Sequence, residues 1–436
     1  MDGSNGFELF GYGSGRTTNE ISALGDVNGD GIDDLGLLRL SRVPTTECFI
    51  DILYGSKERF PQVISATDFP ESGLTIAVDC SRLRIGAGDL NGDELQDILI
   101  GDRASVSVVY GSKTLPAEVD LTDDGGAAGF SLGVRGDHVD ATDFNGDGID
   151  DLLVSVEDST RGYVFFGSKN SLPSATSHQD LDGSNGFAVQ SRIPNQLLLS
   201  IGDVNADGVE DIALAPGLSG RTDAPIQVVF GSRDEFPPVL DTNGLTPSQG
   251  FVVEGFLDRF RPNFPRSVAG SGDVNGDGID DLVVGDPNFN PGVTHGNPVG
   301  AIYVLFGGPS ITSDISEITP TTGFGFVGHG AFEWGDQLGF DVSRLGDFNG
   351  DGLNDLFIRP QGINDDHRAI VLYGKPSPLS GDADSDGFVG FGDFLILANN
   401  FGKEDDVFFH DGDFDGDGRV SFLDFLVLAQ NFQANE

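Results

Sequence analysis

One motif dominates this chain: Asp-x-Asn-x-Asp-(Gly)-x-x-Asp, begun at Asp26, Asp89, Asp143, Asp203, Asp273 and Asp347. A recurring period of this size marks a repeat architecture, in which each unit buries its apolar surface against its neighbours. Every copy has the same surroundings. Upstream lies a Gly-aromatic start, as in Gly6-Phe7, Gly129-Phe130, Gly186-Phe187 and Gly250-Phe251. Directly downstream comes a short apolar run such as Asp281-Leu282-Val283-Val284-Gly285. Further on, a β-rich run ends in aromatic-Gly: Tyr54-Gly55, Tyr110-Gly111, Phe166-Gly167, Phe230-Gly231, Phe306-Gly307 and Tyr373-Gly374. Before residue 380 the apolar runs are short, rich in Val, Ile, Leu and Phe, and bounded by Gly, Asp, Asn and Pro, which is the strand signature.

A repeat of roughly 60 residues has room for about four strands, one propeller blade. One blade cannot bury both faces of its sheet, whereas six around an axis can. The expected fold is therefore mainly β: a six-bladed β-propeller over residues 1–375. Seven blades are the alternative for a longer chain, because a start placed too far downstream would remove a leader and a blade together. Two prolines and two serines in Lys375-Pro376-Ser377-Pro378-Leu379-Ser380 mark 376–380 as a linker. Residues 381–436 then read as a small α-helical, EF-hand-like calcium module built from two segments 31 residues apart. Phe391, Phe394, Leu395, Ala398 and Phe401 recur at helical spacing, as do Phe422, Phe425, Leu426, Ala429 and Phe432. These are expected to be core residues packed between two helices.

The repeated loops carry the chemistry. Alternate positions converge when such a loop curls, and glycine at position six permits the bend. Ca²⁺ takes six to eight oxygens, and each loop offers five or six plus water; Mg²⁺ demands a stricter octahedron. The first loop supplies Asp26, Asn28, Asp30, the Ile32 carbonyl and Asp34. The second supplies Asp89, Asn91, Asp93, the Leu95 carbonyl and Asp97, with Glu94 where glycine stands elsewhere, so a weaker site is expected there. The third has Asp143, Asn145, Asp147, Ile149 and Asp151, and the fourth Asp203, Asn205, Asp207, Val209 and Asp211. The fifth has Asp273, Asn275, Asp277, Ile279 and Asp281, and the sixth Asp347, Asn349, Asp351, Leu353 and Asp355. A hairpin turn alone needs no packed carboxylates, which repel one another when bare. The tail loops place a carboxylate at position twelve just before a helix, which is EF-hand spacing. Their ligand sets are Asp382, Asp384, Asp386, the Phe388 carbonyl and Asp393, then Asp413, Asp415, Asp417, the Arg419 carbonyl and Asp424. The cofactor implied is Ca²⁺, at up to eight sites.

Composition fits this reading. The chain has 436 residues and a formal charge of −46, from 70 acidic and 24 basic residues. Such a chain will not seek nucleic-acid phosphates or an anionic membrane surface. Yet 34 Phe and a 38% hydrophobic fraction provide a core, so the acid does not signal disorder. More than a third of the acidic side chains are expected ligands. Cys48 and Cys80 fit either one disulfide or two thiols. No run of apolar residues is long enough to span a membrane, and no secretory leader is visible. The sequence contains no HExxH, G-x-S-x-G or P-loop. Trp334 is the single tryptophan, against a Trp-lined sugar platform, and Arg135-Gly136-Asp137 is read as a chance tripeptide.

On these motifs the repeats resemble FG-GAP repeats, the blades of the integrin α-subunit propeller and its bacterial relatives. Phe166-Gly167 and its counterparts match the FG element, and Gly285-Asp286-Pro287 and Leu214-Ala215-Pro216 stand where GAP falls. The tail resembles a type I dockerin, which implies a calcium-folded module and a cohesin-like protein partner. It departs at loop positions ten and eleven, where familiar clostridial dockerins often have Ser-Thr and this chain has Phe391-Gly392 and Phe422-Leu423. The resemblance implies a non-catalytic, extracellular calcium-binding propeller for adhesion or protein–protein interaction, with an unknown propeller ligand and a docking tail. The alternatives are a polysaccharide-acting enzyme or carbohydrate-binding subunit of a dockerin/cohesin assembly, and a structural surface or matrix component.

Overall fold

The computed structural model describes residues 8–10, 21–40, 47–57, 60–61, 63–65, 73–79, 83–115, 118–120, 129–169, 177–217, 225–254, 267–290, 299–328, 337–349, 351–360, 370–375, 381–383, 388–403, 411–414 and 419–432. Gly6-Phe7, Cys80, Trp334, the 376–380 linker and the expected ligands Asp384, Asp386, Asp415 and Asp417 lie outside the described residues. The chain is a six-bladed β-propeller followed by two helices. It divides into two compact units: Met1–Ser200 with Val209–Gly220 and Gln227–Phe251, and Ile201–Gly208 with Arg221–Ile226 and Val252–Glu436.

In the first unit the blades are antiparallel meanders. One is formed by Arg84–Gly88, Asp97–Gly101, Val106–Val109 and Gly129–Leu132, each strand beside its sequence neighbour. Another comprises His138–Thr142, Asp151–Ser155, Arg161–Phe165 and Gly186–Gln190, with Val239–Asp241 added in parallel. Each Asp-rich motif is the loop between the first and second strands, and its last aspartate opens the second strand. The second strands Asp97–Gly101 and Asp151–Ser155 are buried at every position. In the second unit Ser267–Gly272, Asp281–Asp286, Ala301–Leu305 and Gly323–Val327 repeat the four-stranded plan. Asp341–Gly346, Asp355–Arg359 and Ile370–Leu372 form a three-stranded sheet.

The Gly-aromatic pair does not open the sheet of its own repeat. Gly129–Leu132 pairs with Val106–Val109 of the sheet before it, and Gly186–Gln190 and Gly323–Val327 do likewise. The glycine is needed because the chain crosses its partner closely: a Cβ on Gly129 would lie 1.9 Å from the Val108 carbonyl oxygen. The aromatic-Gly glycine is likewise jammed against a carbonyl. A Cβ on Gly167 would lie 2.3 Å from the Asp150 oxygen, and one on Gly307 2.2 Å from the Asp280 oxygen.

Apolar cores lie between successive sheets. Leu24, Ile50 and Ile52 pack with Ile85, Ile98 and Ile100 of the next blade. Cys48, inside this cluster, is disulfide-bonded, and Cys80 is the only other cysteine of the chain. The Arg135-Gly136-Asp137 tripeptide is tied up internally, since Arg135 Nη2 donates to Asp137 at 2.8 Å and to Glu157 at 3.1 Å.

The tail helices are α1 (Phe391–Asn400) and α2 (Phe422–Asn431). Their core differs from the expected one. Leu397 and Leu428 are buried with Ala383, Val389, Phe414 and Val420, and Phe394 and Phe425 are only partly covered. Phe391, Leu395, Phe401, Phe422, Leu426 and Phe432 are exposed instead. Two ten-residue helices have one face to share, and the loop residues take it.

Replacing Gly167 by Ala should destabilise the propeller by about 1–3 kcal/mol, the usual cost of forcing atoms into a filled space. A urea unfolding series would read it, and an unchanged midpoint would mean the Asp150 carbonyl is not the fixed wall described here.

Candidate metal centres

Each propeller loop is curled by its own carboxylates. Asp26 Oδ1 accepts the Gly29 and Asp30 N–H groups at 2.7 and 3.1 Å, and its Oδ2 accepts Gly31 N–H at 2.7 Å. Asp273 does the same with Gly276, Asp277 and Gly278 at 2.6, 3.1 and 2.8 Å. The position-five aspartate accepts the N–H of position seven: Asp30 from Ile32, Asp93 from Leu95, Asp147 from Ile149, Asp277 from Ile279 and Asp351 from Leu353. Asn145, Asn205, Asn275 and Asn349 turn their carbonyl oxygens to the position-five N–H.

Position six is left-handed. Gly31, Gly148, Gly208, Gly278 and Gly352 have φ between 81° and 92°, and Glu94 is held at 71°. Nothing lies within 4 Å of a Cβ at Gly31, Gly148, Gly278 or Gly352, so backbone conformation alone selects glycine there. Position four is left-handed too, a requirement the sequence reading missed. Gly29, Gly92, Gly146 and Gly276 have φ between 68° and 80°, and Ala206 stands at 62°. The signal was present as Asn-Gly in five of the six copies.

The position-nine aspartates Asp34, Asp97, Asp151, Asp211, Asp281 and Asp355 are fully buried. One oxygen of each accepts the N–H of the aromatic-Gly glycine: Gly55, Gly111, Gly167, Gly231, Gly307 and Gly374, at 2.7–2.9 Å. The other accepts from the start of the loop, as from Val27, Leu90, Val274 and Phe348. Burial, with the neighbouring Asp30 and Asp26 charges, pushes Asp34 up to about 6 from the ordinary 3.8, although backbone N–H groups oppose it. Asp97 and Asp281 are pushed to about 7 on the same grounds.

Sequence reasoning also missed position eight. Its N–H reaches the position-one carbonyl of the preceding loop: Gln96 to Asp26, Asp150 to Asp89 and Asn354 to Asp273. Its side chain accepts the position-one N–H, as Asp150 does from Asp89 at 2.8 Å and Asp280 from Asp203 at 3.0 Å. The residue after aromatic-Gly then donates to the position-two carbonyl of that same loop: Ser112 to Val27, Ser168 to Leu90, Ser232 to Phe144, Gly308 to Val204 and Lys375 to Val274. Val27, Leu90, Phe144, Val204 and Val274 are buried, whereas Phe348, at position two of the sixth loop, is 65% exposed.

The tail loops reuse this logic. Asp393 accepts Ala383 N–H and Gly390 N–H, each at 2.7 Å, and Asp424 accepts Phe414 N–H and Ser421 N–H at the same distance. Asp382, Asp393, Asp413 and Asp424 are buried.

Among the described residues, no group of three or more His, Cys, Asp or Glu side chains converges closely enough to hold an ion. The donor set nonetheless fits a hard divalent cation. It is all oxygen, its buried position-nine carboxylate feels the position-one and position-five charges, as Asp97 feels Asp93 and Asp89, and Asn91 Oδ1 is a buried oxygen with no hydrogen-bond partner. Where such a cation binds, it supplies the positive charge these carboxylates lack.

Comparison with known proteins agrees with the architecture. The FG-GAP repeat family matches residues 264–305 and the dockerin type I domain family residues 380–433. Chicken (Gallus gallus) integrin alpha-V is 26% identical over 214 residues, 46% of this chain and 19% of that protein. Xenopus laevis integrin alpha-5 is 26% identical over 245 residues, 53% of this chain and 21% of that one. Mouse (Mus musculus) integrin alpha-8 is 34% identical over 143 residues, 32% and 12% respectively. The match thus spans about a fifth or less of each relative. A solved lectin from Agrocybe aegerita that recognises non-reducing terminal N-acetylglucosamine aligns with a TM-score of 0.41 at 14% identity, covering 82% of this chain and 81% of its own.

Two outcomes test the loop geometry. Glu94→Gly should stabilise the calcium-free protein by about 1 kcal/mol, the cost of a left-handed non-glycine residue, read as a higher unfolding midpoint. Because the folded pKa values of Asp34, Asp97 and Asp281 are raised, the fold holds these protons longer than the unfolded chain does. Their contribution is therefore present at pH 4 and is lost as pH rises towards 6–7. In EGTA the melting temperature should be higher at pH 5 than at pH 8, and calcium should close the gap. A calcium-free protein more stable at pH 8 would contradict these environments.

The chain is thus a β-propeller that matches the FG-GAP repeat family at residues 264–305, followed by a segment that matches the dockerin type I domain family at residues 380–433.

Proposed function

We propose that the propeller is a non-catalytic interaction module stapled by calcium, displayed outside the cell and tethered by its dockerin module to a cohesin-like protein. The observation that carries this is the repetition of one oxygen-rich loop design through both modules. In both modules a loop ends in a buried aspartate that accepts the position-two N–H: Asp34 from Val27 and Asp281 from Val274 in the propeller, Asp393 from Ala383 and Asp424 from Phe414 in the tail. Dockerin and integrin-type FG-GAP domains generally bind calcium, which supports the metal assignment. A bonded Cys48 suits an oxidising, extracellular setting.

The tail's exposed side chains suit protein docking. Phe391 is 65%, Phe422 61% and Leu423 56% exposed, at the helix starts where the resemblance places recognition residues. Large apolar side chains there favour an apolar contact over a hydroxyl-mediated one.

Binding of the full chain to a panel of purified cohesin modules, in calcium and in EGTA, tests this. Capture should require calcium, and a Phe391→Asp, Phe422→Asp double variant should weaken it by about 30-fold or more, the usual hot-spot loss. Calcium-independent capture, or calcium binding that stops short of the propeller loops, would sink the reading. Hydrolysis of a glycan panel would favour the enzymatic alternative.

A further inference from the structure

Three consecutive loops of the first unit share a feature that the calcium motif itself does not require. A Cβ on Gly29 would lie 2.7 Å from Lys113 Cε, one on Gly92 3.2 Å from Lys169 Cε, and one on Gly146 2.9 Å from Arg233 Cγ. Each of these basic side chains therefore lays its stem across the position-four glycine of the loop before it. The same residue follows directly on the serine that hooks that loop, since Ser112, Ser168 and Ser232 donate to the carbonyls of Val27, Leu90 and Phe144. In the second unit the hooks persist, from Gly308 to Val204 and from Lys375 to Val274, but the next residues are Pro309 and Pro376. The backbone latch is thus common to five loops, whereas at Gly276 of the fifth loop a Cβ would meet, among the described residues, Leu353 at 3.0 Å and no basic stem.

We propose that Lys113, Lys169 and Arg233 are resident counter-cations that lower the calcium affinity of the first three loops relative to the fourth and fifth. This rests on the calcium reading above. A fixed cation over an acidic loop has two effects of opposite sign. It relieves carboxylate repulsion while the loop is empty, and it repels a second cation when the loop fills. The loops then fall into two classes, the fourth and fifth filling at lower calcium than the first three. The stems serve a separate purpose, as apolar cover for the bend, so charge and packing can be separated by substitution.

Calorimetric calcium titration of the full chain, stripped with EGTA, tests the proposal. Lys113→Met, Lys169→Met and Arg233→Met keep the stem and remove the charge. Combined, they should tighten the weaker class by about 3- to 10-fold at low salt, leave the tighter class unchanged, and lower the melting temperature in EGTA. Lys113→Arg and Lys169→Arg should behave as the parent. Asp273→Asn should remove an equivalent from the tighter class, and Asp26→Asn one from the weaker. If the triple variant does not fold in EGTA, Lys169→Met alone gives the same comparison. A weaker class unmoved by loss of charge, or an Asp273→Asn variant missing a weak equivalent, would overturn the proposal while leaving calcium binding intact. A propeller that takes up no calcium would overturn the calcium reading itself.

Discussion

A buried aspartate whose two oxygens each accept a backbone N–H holds every repeat together. Asp34, Asp97, Asp151, Asp211, Asp281 and Asp355 open the second strand of their blades, and all have no exposure. From there one oxygen grips the end of the third strand through Gly55 or its counterpart, as in the 2.7 Å contact of Asp34. Only a carboxylate fits, because an amide would present a donor to one of the two N–H groups. A glutamate would carry the group one bond too far. The cost of burying the acid is offset by these bonds and, in the reading proposed, by an adjacent cation. Asp393 and Asp424 do for the tail what the six do for the propeller.

The charge of the chain follows from this device. Each repeat needs a buried acid, and each loop needs two more acids to curl its backbone. Using the design eight times accounts for more than half of the formal charge of −46. Such a chain is strained by its own repulsion when bare, and three of its basic residues lie where they can relieve it. Lys113, Lys169 and Arg233 lay their stems over Gly29, Gly92 and Gly146.

The β class, the repeat and the loop positions were legible because each depends on local spacing. The left-handed bend at position six was legible from Gly31 and its equivalents, and Glu94 at φ 71° follows the backbone path of the glycines. Position eight was not legible. Gln96, Asp150, Glu210 and Asn354 differ in charge and length, and only a hydrogen bond to the preceding loop unites them. The tail helices misled for a related reason. A period of 3.6 marks a face but not what covers it, and the face of Phe391, Leu395 and Phe401 is turned to solvent. The Gly-aromatic pair lies upstream of each motif in sequence yet completes the preceding sheet, because sequence repeats and hydrogen-bonded sheets need not share a boundary.

That offset bears on how the chain is made. Val106–Val109 gains its last partner only when Gly129–Leu132 has left the ribosome, and Arg161–Phe165 must wait for Gly186–Gln190. A nascent sheet of this kind is therefore one strand short until the next segment emerges, which finishes the old sheet before the new repeat begins. The growing end offers an open edge to the segment about to emerge, so order of synthesis doubles as a guard against mispairing among blades built on one plan.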